Sequence, residues 1–294
     1  MNSFDYTGKT ALITGASSGI GRDFARQLAA RGVALILVAR SEPKLQALAV
    51  ELVRKHGVSI TIIVQDLVKP EAIPHIVERL ETLRRVPDIL INCAGFATYG
   101  PFEKLSIDRQ RDEINVNCIA PVELTHALLP GMLQQGSGVI INVASTAAMQ
   151  PDPYMAIYGA TKAFLLSFSN ALWGEYRSKG IRVLALCPGA TDTAFFDVVN
   201  AEEASVGKRM PADKVVTLAL KAVESNRNYL ITGCGNWLLG QLHRFVTRRR
   251  LVLIVEKYCV RARPEQKRLR SAQGSCAEML AYRRQIDAIV HEKQ

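Results

Sequence analysis

The chain has 294 residues, 48% of them hydrophobic, which is enough for one α/β domain with a large core and excludes a disordered protein. Lysine and arginine outnumber aspartate and glutamate by 37 to 27, giving a net charge of +10, but no nucleic-acid-binding motif accompanies this charge, so no nucleic acid partner is expected. The six cysteines are scattered without a C-x-x-C pair. They predict reduced core residues and no metal site.

The first unit along the chain is a strand, a glycine-rich turn and a helix. Ala11–Ile13 is an apolar run typical of a buried strand, and Ile20, Phe24 and Leu28 form a helical stripe. The turn between them has the spacing G-x-x-x-G-x-G. Free N–H groups at the start of the helix attract phosphate, although the glycines could simply form a tight turn.

The following elements alternate between strand and helix. The predicted strands are Ala34–Ala39, Ser59–Gln65, Asp88–Asn92, Val139–Val143, Val183–Leu186 and Tyr229–Thr232. The predicted helices are Glu42–Lys55, Ile73–Leu83, Ile107–Leu129 and Tyr154–Ser178. This alternation predicts a doubly wound, seven-stranded parallel sheet with helices on both faces. Ligands of such sheets bind beyond the carboxyl ends of the strands.

A helix near the middle of the chain carries a tyrosine and a lysine four residues apart, Tyr158 and Lys162, with Ser145 upstream at a strand end. Residues four apart share one helix face. The ammonium of Lys162 is therefore expected to lower the pKa of the Tyr158 phenol, which would make it a proton donor and acceptor near neutral pH.

These motifs together resemble the short-chain dehydrogenase/reductase family over roughly residues 6–233. Thr14–Gly21 matches the cofactor loop of that family, and Asn92–Gly95 matches its Asn-Asn-Ala-Gly element, with Cys93 replacing the second asparagine. Ser145 and Tyr158–Lys162 have the separation that the family shows. Pro188–Thr193 resembles the segment that meets the nicotinamide carboxamide.

The resemblance implies a Rossmann fold, a nicotinamide cofactor and a set of site residues. The implied catalytic residues are Asn117, Ser145, Tyr158 and Lys162, with Asn117 anchoring a proton-relay water; nearby Asn115 could be confused with it. The implied cofactor contacts are Gly15, Ser17, Ser18, Gly19, Ile20, Gly21, Arg40, Asp66, Leu67, Asn92, Ala94, Gly95, Tyr158, Lys162, Pro188, Gly189, Thr191 and Thr193. Thr161 and Ser167 are expected to face elsewhere.

The end of the second strand indicates which dinucleotide binds. An acidic residue there would bind the ribose hydroxyls of NAD, whereas an arginine accommodates the 2′-phosphate of NADP. The strand ends at Arg40 with no carboxylate before Glu42. NADP is therefore preferred over NAD, the alternative being that Arg40 is an ordinary solvated charge.

Apolar side chains around two loops suggest a hydrophobic substrate. Residues 191–211, a mobile substrate flap in this family, contain Phe195, Phe196, Val198 and Val199. Phe96, Tyr99, Pro101 and Phe102 could add to the same wall. Equally, these side chains could only pack the flap and loop onto the domain.

The chain divides into a catalytic domain at residues 1–235 and a basic helical extension at 236–294. From Gln241 onwards there are 13 lysines and arginines against 5 acidic residues, and apolar clusters lie at Trp237–Leu239 and Leu251–Val255. Such helices suit an anionic membrane surface or an acidic carrier protein. The alternative is a subunit-interface or lid helix with solvated charges.

We expect a cytoplasmic homo-oligomer, with peripheral membrane contact as an option. The first ten residues lack a signal peptide core, and no apolar stretch approaches the ~20 residues needed to span a bilayer. The predicted function is an NADP-dependent carbonyl reductase or alcohol dehydrogenase. The alternatives are a ketoreductase for carrier-bound 3-oxoacyl groups and a non-catalytic dinucleotide-sensing regulator.

Overall fold

A seven-stranded parallel sheet forms the centre of the molecule. The computed structural model describes residues 4–195 and 209–261. The strands are β1 Thr10–Thr14, β2 Ala34–Ala39, β3 Ile60–Val64, β4 Ile89–Asn92, β5 Gly138–Val143, β6 Ile181–Cys187, β7 Thr191–Asp192, β8 Met210–Pro211 and β9 Tyr229–Ile231. The sheet has the order β3-β2-β1-β4-β5-β6-β9, and β7 and β8 form a separate two-stranded ribbon. This confirms the predicted fold class and all seven strands.

Helices connect successive strands and cover both faces of the sheet. They are α1 Gly19–Ala29, α2 Glu42–His56, α3 Ala72–Thr82, α4 Ile107–Ile114, α5 Ala120–Gln134, α6 Ala156–Tyr176, α7 Ala212–Glu224, α8 Cys234–Gln241 and α9 Arg248–Arg261. Alternate residues of β1 show why two layers form. Ala11 and Ile13 pack with Phe24 of α1, whereas Leu12 packs with Leu124 and Leu128 of α5 on the other face.

Strands are added on one side of β1 up to β3 and on its other side from β4 onwards. This change of side determines the position of the ligand crevice. β1 pairs in parallel with both β2 and β4. The connections on either side of β1 therefore run to opposite faces of the sheet and leave an open crevice at the carboxyl ends of these strands.

The long helix predicted over Ile107–Leu129 continues to Gln134 and is interrupted. Residues Asn115–Ile119 form a π-helical segment between α4 and α5. The run Ile107–Gln134 is long enough to cross a bilayer and contains an apolar window of 18 residues, which corrects the expectation that no such stretch occurs. However, 56% of its most apolar window is buried inside the domain, as for the core helix of an α/β protein.

The described part of the C-terminal extension is helical, as expected. It contains α8, a 3₁₀ turn at Leu242–Arg244, and α9. A Cβ atom on Gly240 of α8 would lie 2.9 Å from Ile231 and 3.6 Å from Met149, so α8 packs closely on the domain. Most of the predicted flap (196–208) and the end of the tail (262–294) lie outside the described residues, and the domain boundary at 235 stays a prediction.

Candidate active site

A cleft of about 540 Å³ opens at the carboxyl ends of the central strands. Most of the predicted site residues line it: Gly15, Ser17, Ser18, Gly19, Ile20, Arg40, Asp66, Leu67, Ala94, Gly95, Ser145, Tyr158, Lys162, Pro188, Gly189, Thr191 and Thr193. Gly21, Asn92 and Asn117 are not part of its lining. The structure thus brings motifs separated by almost 180 residues of sequence to one cleft.

The glycine turn at the start of α1 leaves room for a phosphate. A Cβ atom on Gly15, which has a φ of +66°, would lie 2.9 Å from the main chain of Ala94, and one on Gly21 would collide with the Gly15 carbonyl. Ser18 is the N-cap, but its side chain makes no capping hydrogen bond, and the first turn has no acidic residue. The N-terminal N–H groups of α1 are therefore suited to an anion.

The hydroxyl of Thr14 joins the ends of β1 and β4 beneath this turn. It accepts hydrogen bonds from the N–H groups of Cys93 (3.0 Å) and Ala94 (3.1 Å) and donates to the carbonyl of Ile91 (3.4 Å). Asn92, which follows Ile91, donates to Asn142 Oδ1 at 2.8 Å. Asn92 therefore supports the strand ends from inside the sheet rather than facing the cleft.

The far end of the cleft, after β2, is basic. Arg40, Ser41 and Lys44 line it together, and Arg40 is exposed. Lys44, in the first turn of α2, is a cleft residue that the sequence motifs do not indicate. Opposite them lies Asp66, one carboxylate oxygen of which accepts a hydrogen bond from the Val68 N–H at 3.2 Å.

Ser145, Tyr158 and Lys162 meet at the inner end of the cleft. The Tyr158 phenol forms a hydrogen bond with Ser145, whose oxygen also accepts from the Ala147 N–H at 3.1 Å. Lys162 Nζ lies 5.5 Å from the centre of the Tyr158 ring and donates to the Val143 carbonyl at 2.8 Å. One turn of α6 therefore positions the phenol and the ammonium side by side.

Burial dominates the titration of this pair. It raises the pKa of Tyr158 above its usual value; the hydrogen bond with Ser145 acts in the opposite direction, and the carboxyls of Asp152 and Glu113 add to the rise. Burial also lowers the pKa of Lys162 to about 8. The expectation of a Tyr158 pKa near neutrality is therefore wrong for this structure: burial raises the pKa, and at pH 7 the phenol is neutral, the form needed to donate a proton.

Asn117 is fully buried in the π-helical segment, whereas Asn115 is half-buried. Its Oδ1 accepts from the Phe96 N–H at 3.2 Å, and its Nδ2 donates to the Phe96 carbonyl at 3.0 Å and to Thr161 Oγ1 at 3.1 Å. Contrary to expectation, Thr161 therefore belongs to the support of the site. The side chain of Asn117 is occupied with protein partners, so its anchoring of a water stays a prediction.

Two carboxyl groups near Tyr158 are not among the residues that the sequence predicts. Glu113 of α4 is fully buried and binds Thr98. Asp152 lines the cleft, and burial raises its pKa to about 6. In the sequence, Glu113 looks like one more polar residue of the strongly polar helix α4, and Asp152 like a turn residue between two prolines.

Apolar side chains form the wall beside Tyr158. The ring of Phe195 lies 5.6 Å from the Tyr158 ring, and Tyr99, Met155 and Phe96 also line the cleft. Pro101 and Phe102 do not; they line a separate, smaller cavity, and Phe102 is exposed. The prediction of a wall from this loop therefore holds for its first two aromatic residues only.

The residues present fit a nicotinamide dinucleotide. The uncapped start of α1 suits the pyrophosphate, and Arg40 and Lys44 lie at the ribose-phosphate end. At the other end, Thr191 donates to the Gly189 carbonyl at 3.0 Å and Thr193 packs on Gly19. No cluster of metal-ligating side chains occurs in the described part of the chain.

Known proteins resemble this chain in sequence. Hydroxysteroid dehydrogenase-like protein 1 of Gallus gallus is 43% identical over 184 residues, covering 62% of this chain and 55% of that protein. Very-long-chain 3-oxoacyl-CoA reductase of Anas platyrhynchos is 38% identical over 186 residues, which cover 62% of this chain and 59% of that protein. Inactive hydroxysteroid dehydrogenase-like protein 1 of Homo sapiens is 39% identical over 183 residues (62% and 55%). The matches thus span somewhat more than half the length of these relatives.

A solved structure and a family model agree with these relatives. A short-chain dehydrogenase from Sphingobium yanoikuyae, in complex with NADPH, superposes with a TM-score of 0.73 at 35% identity and covers 81% of this chain and 94% of its own. A sequence model of the short chain dehydrogenases matches residues 9–204. The chain therefore belongs to the short-chain dehydrogenase/reductase family.

Proposed function

We propose that the protein transfers hydride between NADP(H) and a carbonyl or alcohol of a hydrophobic substrate, with Tyr158 as general acid and base. The observation that carries this proposal is the meeting of Ser145, Tyr158 and Lys162 at the inner end of the dinucleotide cleft. The bound nicotinamide would supply or accept the hydride.

The chain's own residues manage the proton. In the reductive direction the neutral Tyr158 phenol donates its proton to the carbonyl oxygen as negative charge develops there. The hydroxyl of Ser145, next to the phenol, hydrogen-bonds the same oxygen. The positive charge of Lys162 stabilises the phenolate that the donation leaves behind. In the oxidative direction the same phenolate takes the proton back from an alcohol.

The preference for NADP rests on the basic end of the cleft. Arg40 and Lys44 line the cleft after β2, and β2 ends without a carboxylate, which supports a contact with a 2′-phosphate. Arginine forms bidentate contacts with phosphate, and a second cation in the first turn of α2 would add to the attraction. NADPH in the related Sphingobium enzyme is consistent with this preference.

The substrate class follows from the wall of the cleft. Phe195, Tyr99 and Met155 surround Tyr158 with apolar surface, which favours a bulky hydrophobic ketone or alcohol. The relatives named for hydroxysteroids and for very-long-chain 3-oxoacyl-CoA carry substrates of this kind in their names. The second relative favours the alternative of a 3-oxoacyl group on a carrier.

A non-catalytic dinucleotide-binding role is the alternative from a different class, and one relative is named as inactive. The retained serine, tyrosine and lysine argue against it, because binding a dinucleotide needs no proton donor beside the substrate pocket. A panel of steroid ketones, aromatic ketones and 3-oxoacyl thioesters, followed by the consumption of NADPH, tests the proposal. Turnover of any free ketone supports the reductase, turnover of thioesters alone supports the alternative, and no turnover with intact NADPH binding supports the regulator.

We further propose peripheral contact with an anionic membrane through α8 and the residues after it. Trp237, Leu238 and Leu239 are between 52% and 68% exposed, and Phe245 is 82% exposed. The chain from 225 to 255 has five arginines and no acidic residue. Exposed apolar side chains beside arginines match the chemistry of an anionic lipid surface. The cytoplasmic location and the homo-oligomer stay predictions.

A further inference from the structure

Glu113 is a buried carboxyl group that the proposed chemistry does not use directly. It lies one helical turn before Asn117 and has no exposed surface. Its Oε2 accepts hydrogen bonds from the Thr98 N–H at 2.9 Å and the Thr98 hydroxyl at 2.7 Å. Its other oxygen, Oε1, is buried and has no hydrogen-bond partner among the described residues.

The loop held by Glu113 is the one that contacts Lys162. Asn117 holds this loop at Phe96, and Glu113 holds it at Thr98. At its start, a Cβ atom on Gly95 would lie 2.9 Å from Asn117 Oδ1 and 3.4 Å from Lys162 Nζ. Two side chains of one helical run therefore fix the loop against the ammonium group.

Glu113 is also the acid that can carry charge near Lys162 at neutral pH. The groups that act electrostatically on Lys162 are Glu113 and three thiols. Burial raises the pKa values of these thiols, Cys93, Cys118 and Cys187, to about 12, 11 and 12, so they are neutral at pH 7. Among these groups, a carboxylate at Glu113 is the one source of negative charge.

We propose that Glu113 is a positioning residue of the reaction: it fixes the cleft loop through Thr98, and its negative charge keeps Lys162 protonated. This inference rests on the proposed function of Lys162. A buried ammonium is costly unless a counter-charge is near, and Glu113 supplies that charge from the helix opposite α6.

Several groups decide whether Glu113 is ionised. Burial is the largest effect and raises the pKa of its carboxyl above the usual value, whereas the two hydrogen bonds from Thr98 and the charges of Lys162 and Arg109 act in the opposite direction and offset part of the rise. The titratable and charged groups that face it are Lys162 and Tyr158 of α6, Cys118 of the π-helical segment and Arg109 of its own helix. Two cations and two hydrogen-bond donors favour the carboxylate.

A pair of substitutions separates the charge of Glu113 from its shape. Glu113→Gln keeps an acceptor for Thr98 but removes the charge, so Lys162 loses its proton at lower pH. We measure kcat/KM for ketone reduction, and NADPH binding by fluorescence, as functions of pH. In Glu113→Gln the fall of both quantities at alkaline pH is expected to occur about one pH unit lower than in the wild type. Glu113→Asp keeps the charge and leaves this alkaline limb near that of the wild type, with a higher KM because the loop is held less well.

The matched control is Glu123→Gln, an exposed glutamate on α5, which leaves both profiles unchanged. An unshifted alkaline limb in Glu113→Gln overturns the proposal, whatever happens to kcat, because a purely structural residue changes the level of activity and not its pH dependence.

A direct measurement covers the case in which Glu113→Gln does not fold. The carboxyl signal of Glu113, in wild-type protein labelled with ¹³C-glutamate and assigned by comparison with Glu113→Asp, is expected to be that of a carboxylate at pH 7. A protonated carboxyl at pH 7 overturns the proposal. This measurement needs no turnover, so an ionised Glu113 in a protein that reduces no ketone contradicts the proposed function alone.

Discussion

Asn117 and Phe96 are joined through both ends of the asparagine amide. The Phe96 N–H donates to Oδ1 at 3.2 Å, and Nδ2 donates to the Phe96 carbonyl at 3.0 Å. The Asn117 amide thus makes the two hydrogen bonds that a neighbouring strand would make to the main chain of Phe96, a loop residue that lines the cleft. The side chain of Asn117 therefore holds the wall of the site.

Replacing this amide should destabilise the protein. Asn117→Ala leaves the Phe96 N–H and carbonyl without their partner, and each unpaired group costs about 1–3 kcal/mol. We expect a loss of about 2–4 kcal/mol in the free energy of unfolding, measured by urea denaturation, together with weaker NADPH binding. Asn115→Ala, two residues away, is the control and should change neither. Equal effects of the two substitutions would contradict the assignment of Asn117.

Removing the phenolic hydroxyl should abolish turnover without preventing cofactor binding. Tyr158→Phe deletes the proton donor, and general acid catalysis typically contributes about 10²–10⁴-fold. We expect kcat to fall by about 10²-fold or more while the Kd for NADPH stays near that of the wild type. Tyr176→Phe, at the other end of α6, should retain full activity. If Tyr158→Phe kept more than about a tenth of the activity, Tyr158 would not be the proton donor.

Reversing the charge at the end of β2 should change the cofactor preference. Arg40→Asp removes a charged partner of the 2′-phosphate and adds a repulsive one, while its carboxylate can accept from ribose hydroxyls. The ratio of kcat/KM for NADPH over NADH should fall by about ten- to a hundredfold. Arg54→Asp, an exposed position on α2, is the control. An unchanged ratio in Arg40→Asp would refute the phosphate contact.

The carboxyl of Asp152 should make stability depend on pH. Burial raises its pKa to about 6 from 3.8, so the folded state holds this proton more tightly than the unfolded state. Its contribution to stability is therefore present at low pH and is lost as pH rises through this window. Asp152→Asn should match the wild type near pH 3.5 and exceed it above pH 6, by roughly 1–3 kcal/mol in thermal or urea unfolding.

Asp108→Asn is the control for this measurement, because Asp108 is exposed and pairs with Arg111 on the surface. Its effect on stability should be small across the pH range of the experiment. A difference between Asp152→Asn and the wild type that is constant from pH 4 to 8 would show that the carboxyl is not desolvated.

The exposed residues of α8 should bind anionic vesicles. The wild type is expected to sediment with vesicles that contain phosphatidylserine, but not with pure phosphatidylcholine, and salt should weaken the binding. Trp237→Asp and the triple change of Arg248, Arg249 and Arg250 to glutamine should each reduce binding severalfold, with Arg227→Gln as the control. Unaltered binding of both variants, or capture of an acidic acyl carrier protein instead, would contradict membrane contact.

The fold could be predicted because apolar runs and glycine turns repeat along the chain with the period of β-α units. β1, for example, is buried along its whole length, as a strand covered by helices on both faces must be. The site motifs could be placed because they follow strand ends. The fold and the position of the site could therefore both be inferred from local patterns, because these patterns follow one another along the chain in the order of β-α units.

The details of the site depend on long-range contacts and could not be predicted. Glu113 appears as a polar residue of a polar helix until the loop of Thr98 closes over it. The pKa of Tyr158 was expected from its neighbour four residues away, but burial by distant segments has the larger effect. The π-helical segment at Asn115–Ile119 does not change the spacing of the apolar residues in a way that the sequence would reveal.

The hydroxyl of Thr14 has a consequence for substrate range. Since it serves two N–H groups and one carbonyl where β1 meets β4, parting these strands would leave two amides unpaired, at about 1–3 kcal/mol each. The floor of the crevice is therefore effectively rigid. A change in the size of the bound substrate would therefore require different side chains on the opposite wall, where Tyr99 and Phe195 stand, and not a wider gap between the strands.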